Sequence, residues 1–249
     1  MGLLGTARRQ LAERGWTLLP AIDFGLVDRG LIASHERAVL DLASEFGVPS
    51  TRDGGRAVWP VTPAAPPNAA SPKATFSARA GAAGFHTDAQ YHDRPEDYVC
   101  LFVVRPAVDG GLSRLLAVEP AISALKACAH GAESLDLMSR PIWRWRIPAE
   151  FDAAAAPEMS AMPALTPDPA TVGGLRIRWR TDNLDPALPA RLHDAASLIG
   201  TVFNRAQGAV ELQPRPGDVL ILDNHRVMHA RTWFSDPRRL LLRVRLWRS

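Results

Sequence analysis

Short segments with the pattern of β-strands recur through the 249-residue chain and limit its fold more than any other feature. The continuous apolar run at 98–104 predicts a buried strand, and the alternation at 240–247 predicts a strand with two different faces. Because a turn with two glycines follows at 109–111, the segment at 112–118 is expected to return as the partner of the 98–104 strand. Further strands are predicted at 16–20, 141–148, 175–180, 210–212 and 218–223.

Helical periodicity is less frequent than strand-like alternation. Two segments without periodicity, 61–71 and 149–173, are interpreted as a loop that borders the active site and as a lid or insertion. We therefore predict one domain spanning 1–249, mainly β with peripheral helices, arranged as a barrel or a sandwich. The helices are predicted at 7–14, 31–46, 120–129 and 186–206.

Composition excludes several classes of protein. A hydrophobic share of 47% and a charged share of 22% are ordinary for a globular protein. The net charge is +3, but the arginines are spread along the chain, so we expect no nucleic-acid partner. No window is long and apolar enough to cross a bilayer, and the N-terminus lacks a signal-peptide core, so a cytoplasmic protein is expected. Cys100 and Cys128 are expected to be buried free thiols.

The segment Gly84–His92 carries the first chemical signal. His86 and Asp88 are two residues apart, so in an extended chain their side chains project to the same side. A polar stretch with two further histidines, His225 and His229, follows the strand predicted at 218–223. If one of these histidines lies close to His86 and Asp88, the three side chains can bind one face of a metal ion. Three coordination positions of the metal then stay open, as in non-haem Fe(II) oxygenases.

The final strand carries the second signal. Two interpretations are open: a row of arginines can bind anions, or it can be the solvated side of an edge strand that discourages edge pairing. On one face of the alternation lie Arg239, Leu241, Arg243 and Arg245, and on the other Leu240, Leu242, Val244 and Leu246.

Together these motifs resemble the taurine dioxygenase and clavaminate synthase group of Fe(II)/2-oxoglutarate-dependent oxygenases. The first matching stretch, at 85–111, contains His-Thr-Asp-Ala-Gln-Tyr-His, Arg-Pro-Glu-Asp-Tyr-Val and a double glycine. The second, at 216–243, contains Pro-Gly-Asp, Asp-Asn-X-Arg-X-X-His-X-Arg and Arg-Arg-X-X-X-Arg. The resemblance implies a double-stranded β-helix, or jelly-roll barrel, in agreement with the many short strands.

The resemblance also implies roles for individual residues. His86, Asp88 and His229 would bind Fe(II), with His229 favoured over His225 by the family pattern. Arg239 would hold the distal carboxylate of the co-substrate 2-oxoglutarate. Ser113, in the place of the usual threonine, would provide a hydroxyl group that helps Arg239 to bind 2-oxoglutarate.

Three residues of the first motif, Gln90, Tyr91 and His92, are candidates for the substrate pocket, although His92 is equally well explained as a structural residue. Arg243 matches a position that binds an acidic group of the primary substrate in several members of the family. Asn224 and Arg231 are interpreted as supports for the ligand geometry.

The implied reaction consumes 2-oxoglutarate and O2 and hydroxylates a C–H bond of a small polar substrate. An amino acid or related carboxylate of a biosynthetic, natural-product pathway is the predicted substrate class. Asp88 stands where the nearest branch usually has Glu, and halogenation is disfavoured because related halogenases lack this carboxylate. Desaturation and ring formation stay open. A metal-dependent hydrolase or isomerase and a binding protein without catalysis are two competing interpretations, and the oligomeric state is open.

Overall fold

The structure is a computed structural model that describes residues 2–20, 22, 33–52, 54–63, 79–148 and 160–249. Twelve strands and five helices lie within these ranges. The helices are α1 (Leu3–Arg14), α2 (Ala33–Ser44), α3 (Val118–Lys126), α4 (Gly131–Ser139) and α5 (Ala190–Arg205). The first six strands are β1 (Trp16–Leu19), β2 (Val48–Pro49), β3 (Val58–Val61), β4 (Ala83–His86), β5 (Tyr98–Arg105) and β6 (Ser113–Ala117). The other six are β7 (Leu165–Pro167), β8 (Leu175–Ile177), β9 (Val210–Leu212), β10 (Val219–Asp223), β11 (Val227–Arg231) and β12 (Leu240–Trp247).

Two antiparallel sheets form the centre of the molecule. The larger sheet has the order β1-β10-β5-β12-β2, with β3 also paired to β12, and the smaller has the order β4-β11-β6-β9. Their inner faces share one apolar cluster, to which the larger sheet contributes Leu101, Leu220 and Leu241 and the smaller contributes Leu115 and Val227. Alternation along each strand directs these side chains inwards, which explains why the strand pattern dominates the sequence.

The helices cover the outer faces of the two sheets. Leu11 of α1 and Val39 of α2 pack with Phe102 and Leu242 on the outer side of the larger sheet. The second outer cluster, in which α3, α4 and α5 pack against the smaller sheet, contains Leu116, Ile122, Met138, Trp179, Ile199, Phe203 and Met228. The expectation of a mainly β protein with peripheral helices is confirmed. In the described ranges no helix has the length and apolarity needed to cross a membrane.

The arginines of the last strand are buried. β12 matches the predicted segment 240–247, but it lies between β5 on one side and β2 and β3 on the other. Arg239, Arg243 and Arg245 are only 3%, 6% and 5% exposed. The interpretation of this strand as a solvated edge is therefore wrong.

Two strand predictions are also wrong. β6 does not pair with β5; it joins the smaller sheet, between β11 and β9, because the turn at 109–111 carries the chain across to the other sheet. The segment 141–148 forms only two isolated bridges, Trp143 with Met162 and Trp145 with Leu184. Its alternation reflects the burial of the two indoles, whose side-chain N–H groups donate to the main-chain carbonyls of Leu137 and Arg180.

Some smaller expectations have mixed outcomes. Cys100 is buried, and burial raises the pKa of its thiol, whereas Cys128 is partly exposed, so its expected burial is wrong.

Most of the loop predicted at 61–71 and residues 149–159 of the predicted lid lie outside the described residues. Helix α4 was not predicted from the sequence.

Candidate active site

Two neighbouring strands of the smaller sheet bring the two histidines together. In the antiparallel pairing of β4 with β11, His86 lies opposite His229, and their ring centroids are 4.2 Å apart. Asp88 follows the end of β4, and its Oδ1 is 3.9 Å from His86 Nε2 and 3.8 Å from His229 Nε2. One ligand atom from each residue lies within 4.8 Å of the other two, which is a spacing that a single metal ion can bridge.

The protonation of the histidines suits a metal ligand. The Nδ1 of His86 donates to the carbonyl oxygen of Gly84 at 2.8 Å, which leaves the lone pair of Nε2 directed at the centre of the group. Burial, with a contribution from the positive charge of Arg180, lowers the pKa of His86 well below its usual value. Burial likewise lowers the pKa of His229. Both imidazoles are therefore neutral, as metal ligation requires.

The carboxylate of Asp88 is ionised. Burial by itself raises the pKa of Asp88, but the surrounding positive charge, to which Arg243 contributes most, outweighs burial and holds the pKa below its usual range. Two neutral imidazoles and one carboxylate form a donor set of net charge −1, which fits a divalent cation such as Fe(II).

A cleft of about 530 Å³, including its open mouth, lies between the two sheets at this group. Its apolar wall comes from the inner face of the larger sheet. Ser113 of β6 and Arg231 of β11 are register partners and both line it. Two further arginines, Arg239 and Arg243, line the same cleft. The structure therefore brings together the predicted metal ligands, the predicted hydroxyl and the predicted anion-binding arginine.

Arg239 has the environment of an anion-binding residue. Its Nε and Nη1 are buried and have no hydrogen-bond partner among the described residues. Burial, with a contribution from the charge of Arg231, lowers the pKa of Arg239 to about 9. A buried guanidinium without a counter-ion is unfavourable, and a bound carboxylate would stabilise it through two parallel hydrogen bonds. The cleft thus fits a dicarboxylate such as 2-oxoglutarate.

Arg243 contacts the carboxylate of the candidate metal group. Its Nη1 lies 3.0 Å from Asp88 Oδ2, and both side chains are buried. Its predicted contact with a substrate stays a prediction.

The other substrate candidates do not line the cleft between the sheets. Gln90 is fully buried and donates from Nε2 to Asn183 Oδ1 at 2.8 Å. Tyr91 belongs to the core beside the smaller sheet, and its ring lies 4.6 Å from that of His92. Their predicted part in substrate binding stays a prediction.

The alternative histidine ligand is engaged elsewhere. The Nε2 of His225 lies 3.2 Å from Asp97 Oδ1, and His225 is not part of the three-residue group. Sequence reasoning missed Arg178, which donates to the carbonyls of His92 and Asp93 at 2.7 and 2.9 Å and so holds the segment behind Asp88. No motif in the sequence identifies this contact.

The fold and the donor set define a candidate mononuclear metalloprotein with an anion site beside the metal. Residues 3–245 match the model of the family described as taurine catabolism dioxygenase TauD, TfdA family, and the chain belongs to that family. The resemblance inferred from the motifs is confirmed. In a search of curated proteins, no sequence matches the chain.

Solved structures with the same fold are similar at low sequence identity. Asparagine oxygenase in complex with Fe(II), 2S,3S-3-hydroxyasparagine and succinate has a TM-score of 0.73 at 22% identity, covering 98% of this chain and 77% of that chain. The non-haem iron oxygenase OrfP in complex with Fe and alpha-ketoglutaric acid has a TM-score of 0.69 at 20% identity, covering 99% and 79%. OrfP with Fe, succinate and (3S)-hydroxy-L-Arg has a TM-score of 0.68 at 21% identity, covering 98% and 80%.

Proposed function

We propose that the protein is an Fe(II)- and 2-oxoglutarate-dependent dioxygenase that hydroxylates a C–H bond of an amino acid or a related carboxylate. The observation that carries the proposal is the presence, in one cleft, of the His-Asp-His donor set and of buried Arg239 without a hydrogen-bond partner for its Nε and Nη1 among the described residues. Membership of the dioxygenase family supports the same chemistry.

The residues have the following proposed roles. His86, Asp88 and His229 hold Fe(II) from one side, while Arg239 and Ser113 bind the distal carboxylate of 2-oxoglutarate. With O2, the bound iron and co-substrate supply the oxidation: one oxygen atom enters the substrate, the other enters succinate, and CO2 is released. Bound 2-oxoglutarate would displace water from the apolar wall of the cleft, which strengthens the interaction between Arg239 and the carboxylate.

The fold and the cellular setting are part of the proposal. The two sheets would form the jelly-roll of these oxygenases, with residues 1–249 as a single domain. A cytoplasmic enzyme of a biosynthetic pathway acting on a small molecule is the proposed setting. The asparagine oxygenase and OrfP complexes contain hydroxylated amino acids, which supports an amino acid as the substrate class, with Arg243 as the proposed partner of its acidic group.

Competing functions lead to different products. The same oxygenase chemistry could end in desaturation or ring closure, which gives succinate but no added oxygen in the product. A hydrolase or isomerase that uses a metal-activated water would need no 2-oxoglutarate, and it gives no reason for a buried guanidinium beside the metal group. A binding protein without catalysis would release no succinate at all.

The test is succinate release by the Fe(II)-loaded protein under O2, with 2-oxoglutarate and a panel of free amino acids, followed by mass analysis of the products. We expect a substrate-dependent rise in succinate and a gain of one oxygen atom in one panel member. His86→Ala should abolish this turnover, whereas His225→Gln should keep the metal stoichiometry. Turnover by His86→Ala equal to that of the parent would refute the metal assignment, and metal-dependent hydrolysis without 2-oxoglutarate would favour the hydrolase.

A further inference from the structure

The backbone next to the metal-binding carboxylate is held in an unfavourable conformation. Ala89, directly after Asp88, has φ 55°, and within the described ranges it is the one non-glycine residue with a positive φ. A side chain with a Cβ is disfavoured in this left-handed region, so surrounding contacts must impose the conformation. Ala89 is also buried, at 2% exposure, which places those contacts inside the protein.

The amide of Asn224 supplies contacts on both sides of Asp88. Its Oδ1 accepts the main-chain N–H of Asp88 at 2.8 Å. Its Nδ2 donates to the carbonyl oxygens of Asp88 and Glu96, each at 2.9 Å. The main-chain N–H of Asn224 donates to the carbonyl of Asp97 at 2.8 Å. One residue therefore fixes the peptide groups around the ligand and closes the segment from 88 to 97 onto itself.

The position of Asn224 in the chain links two metal-binding segments. It lies in the turn between β10 and β11, five residues before His229. Through this turn, the strand that carries His229 is hydrogen-bonded to the loop that carries Asp88. The distance between the histidine and the carboxylate thus depends on a side chain that contacts neither a predicted metal position nor the cleft.

The remaining contacts of the loop act on other peptide groups. Thr87 exchanges two hydrogen bonds with Trp179: its N–H donates to the carbonyl at 2.8 Å, and its Oγ1 accepts from the N–H at 3.1 Å. Arg178 binds the carbonyls further along, at His92 and Asp93. These contacts restrain the two ends of the loop. Arg243 pairs with the Asp88 carboxylate, whereas Asn224 holds the main chain on both sides of it.

We propose that Asn224 is a positioning residue for the metal site: its amide holds the Asp88 peptide and the Ala89 turn so that the carboxylate points at the same centre as His86 and His229. The inference rests on the proposed metal function and deepens it. Hydrogen-bonded supports behind metal ligands commonly change metal affinity by about 10- to 100-fold when they are removed.

The test measures metal binding without turnover. Co(II) is titrated into metal-free protein, and its visible absorption spectrum reports both the affinity and the coordination geometry. The first variant, Asn224→Ala, removes all hydrogen bonds of the side chain. The second, Asn224→Ser, keeps a polar group but is too short to reach the carbonyl oxygens of both Asp88 and Glu96. Val39→Ala is the control, because it opens a cavity in the helix α2 packing against the outer face of the larger sheet, away from the site.

We expect the two Asn224 variants to bind one Co(II) per chain about 10- to 100-fold more weakly, with an altered spectrum, while Val39→Ala keeps the parental affinity and spectrum. Parental affinity and spectrum in a folded Asn224→Ala or Asn224→Ser protein would overturn the proposal. Equal weakening in Val39→Ala would also overturn it, since general destabilisation would then explain the effect. If the parent binds Co(II) but never consumes 2-oxoglutarate, the proposed oxygenase activity fails while this inference stands.

Discussion

Replacing Arg239 with methionine should stabilise the protein and at the same time strongly weaken its affinity for 2-oxoglutarate. Two guanidinium nitrogens of Arg239 are buried without a hydrogen-bond partner among the described residues, and the pKa of Arg239 falls from 12.5 to about 9. A shift of this size corresponds to an upper bound of about 5 kcal/mol against the charged form. Because water can enter the cleft and relax the charge, we expect Arg239→Met to raise the free energy of unfolding by about 1–3 kcal/mol.

The sign of the pH dependence follows from the lowered pKa. The unfolded chain keeps the proton of Arg239 at pH values where the folded protein has begun to lose it. The penalty is therefore complete below pH 9 and fades as the pH rises above it. Urea unfolding of the metal-free protein should give the full gain for Arg239→Met near neutral pH, where Arg239 is charged in the folded and the unfolded protein, with Leu212→Met at the rim of the inner core as a volume control.

The same substitution, Arg239→Met, should weaken the binding of 2-oxoglutarate. Losing a two-point charged contact with a carboxylate in a water-poor site costs about 3–5 kcal/mol, or roughly 10²- to 10⁴-fold in affinity. Isothermal titration of 2-oxoglutarate into Mn(II)-loaded protein without O2 measures this loss directly. The reasoning is refuted if Arg239→Met is less stable than the parent in the metal-free state, or if its affinity for 2-oxoglutarate is within threefold of the parent.

Two further predictions concern stability. Burial raises the pKa of Asp97, but the hydrogen bonds from His225 and from the main-chain N–H of Arg248, together with nearby positive charge, outweigh burial and lower the pKa to about 2. The stability that this carboxylate contributes is therefore present above pH 4 and is lost as the pH falls towards 2. Asp97→Asn should therefore be about 1–2 kcal/mol less stable than the parent at pH 6 in urea unfolding, and the difference should vanish near pH 2; parallel stability curves would contradict this. Ala89→Gly should raise the free energy of unfolding by about 0.5–1 kcal/mol by relieving the positive φ, whereas Ala195→Gly within α5 should lower it by about 1 kcal/mol; a loss for both would show that Ala89 is not strained.

Local patterns in the sequence were sufficient for several elements. The apolar run at 98–104 and the alternation at 240–247 became β5 and β12 because burial of one or both faces is encoded in side-chain periodicity. The same logic failed at 141–148, where Trp143 and Trp145 alternate because both indoles fill the core. Periodicity reports which side chains are buried, and it does not report whether the neighbouring chain offers a hydrogen-bonding strand.

Long-range pairing was beyond the reach of sequence patterns. The short turn at 109–111 favoured a hairpin between β5 and β6, yet β6 crosses to the smaller sheet. The contacts of Arg178 with the loop behind Asp88 join residues that are far apart in the chain, and no local rule predicts them.

By itself, the sequence placed one imidazole and one carboxylate, His86 and Asp88, two residues apart, and the alternation of side chains in an extended chain predicted that they would lie on the same side. Only the tertiary structure decided which distant histidine joins them: the register of β11 against β4 sets His229 opposite His86, and a shift of one residue would turn it to the other face. The structure likewise decided that Arg239 lies buried beside this group, because it directly precedes β12, which is an interior strand.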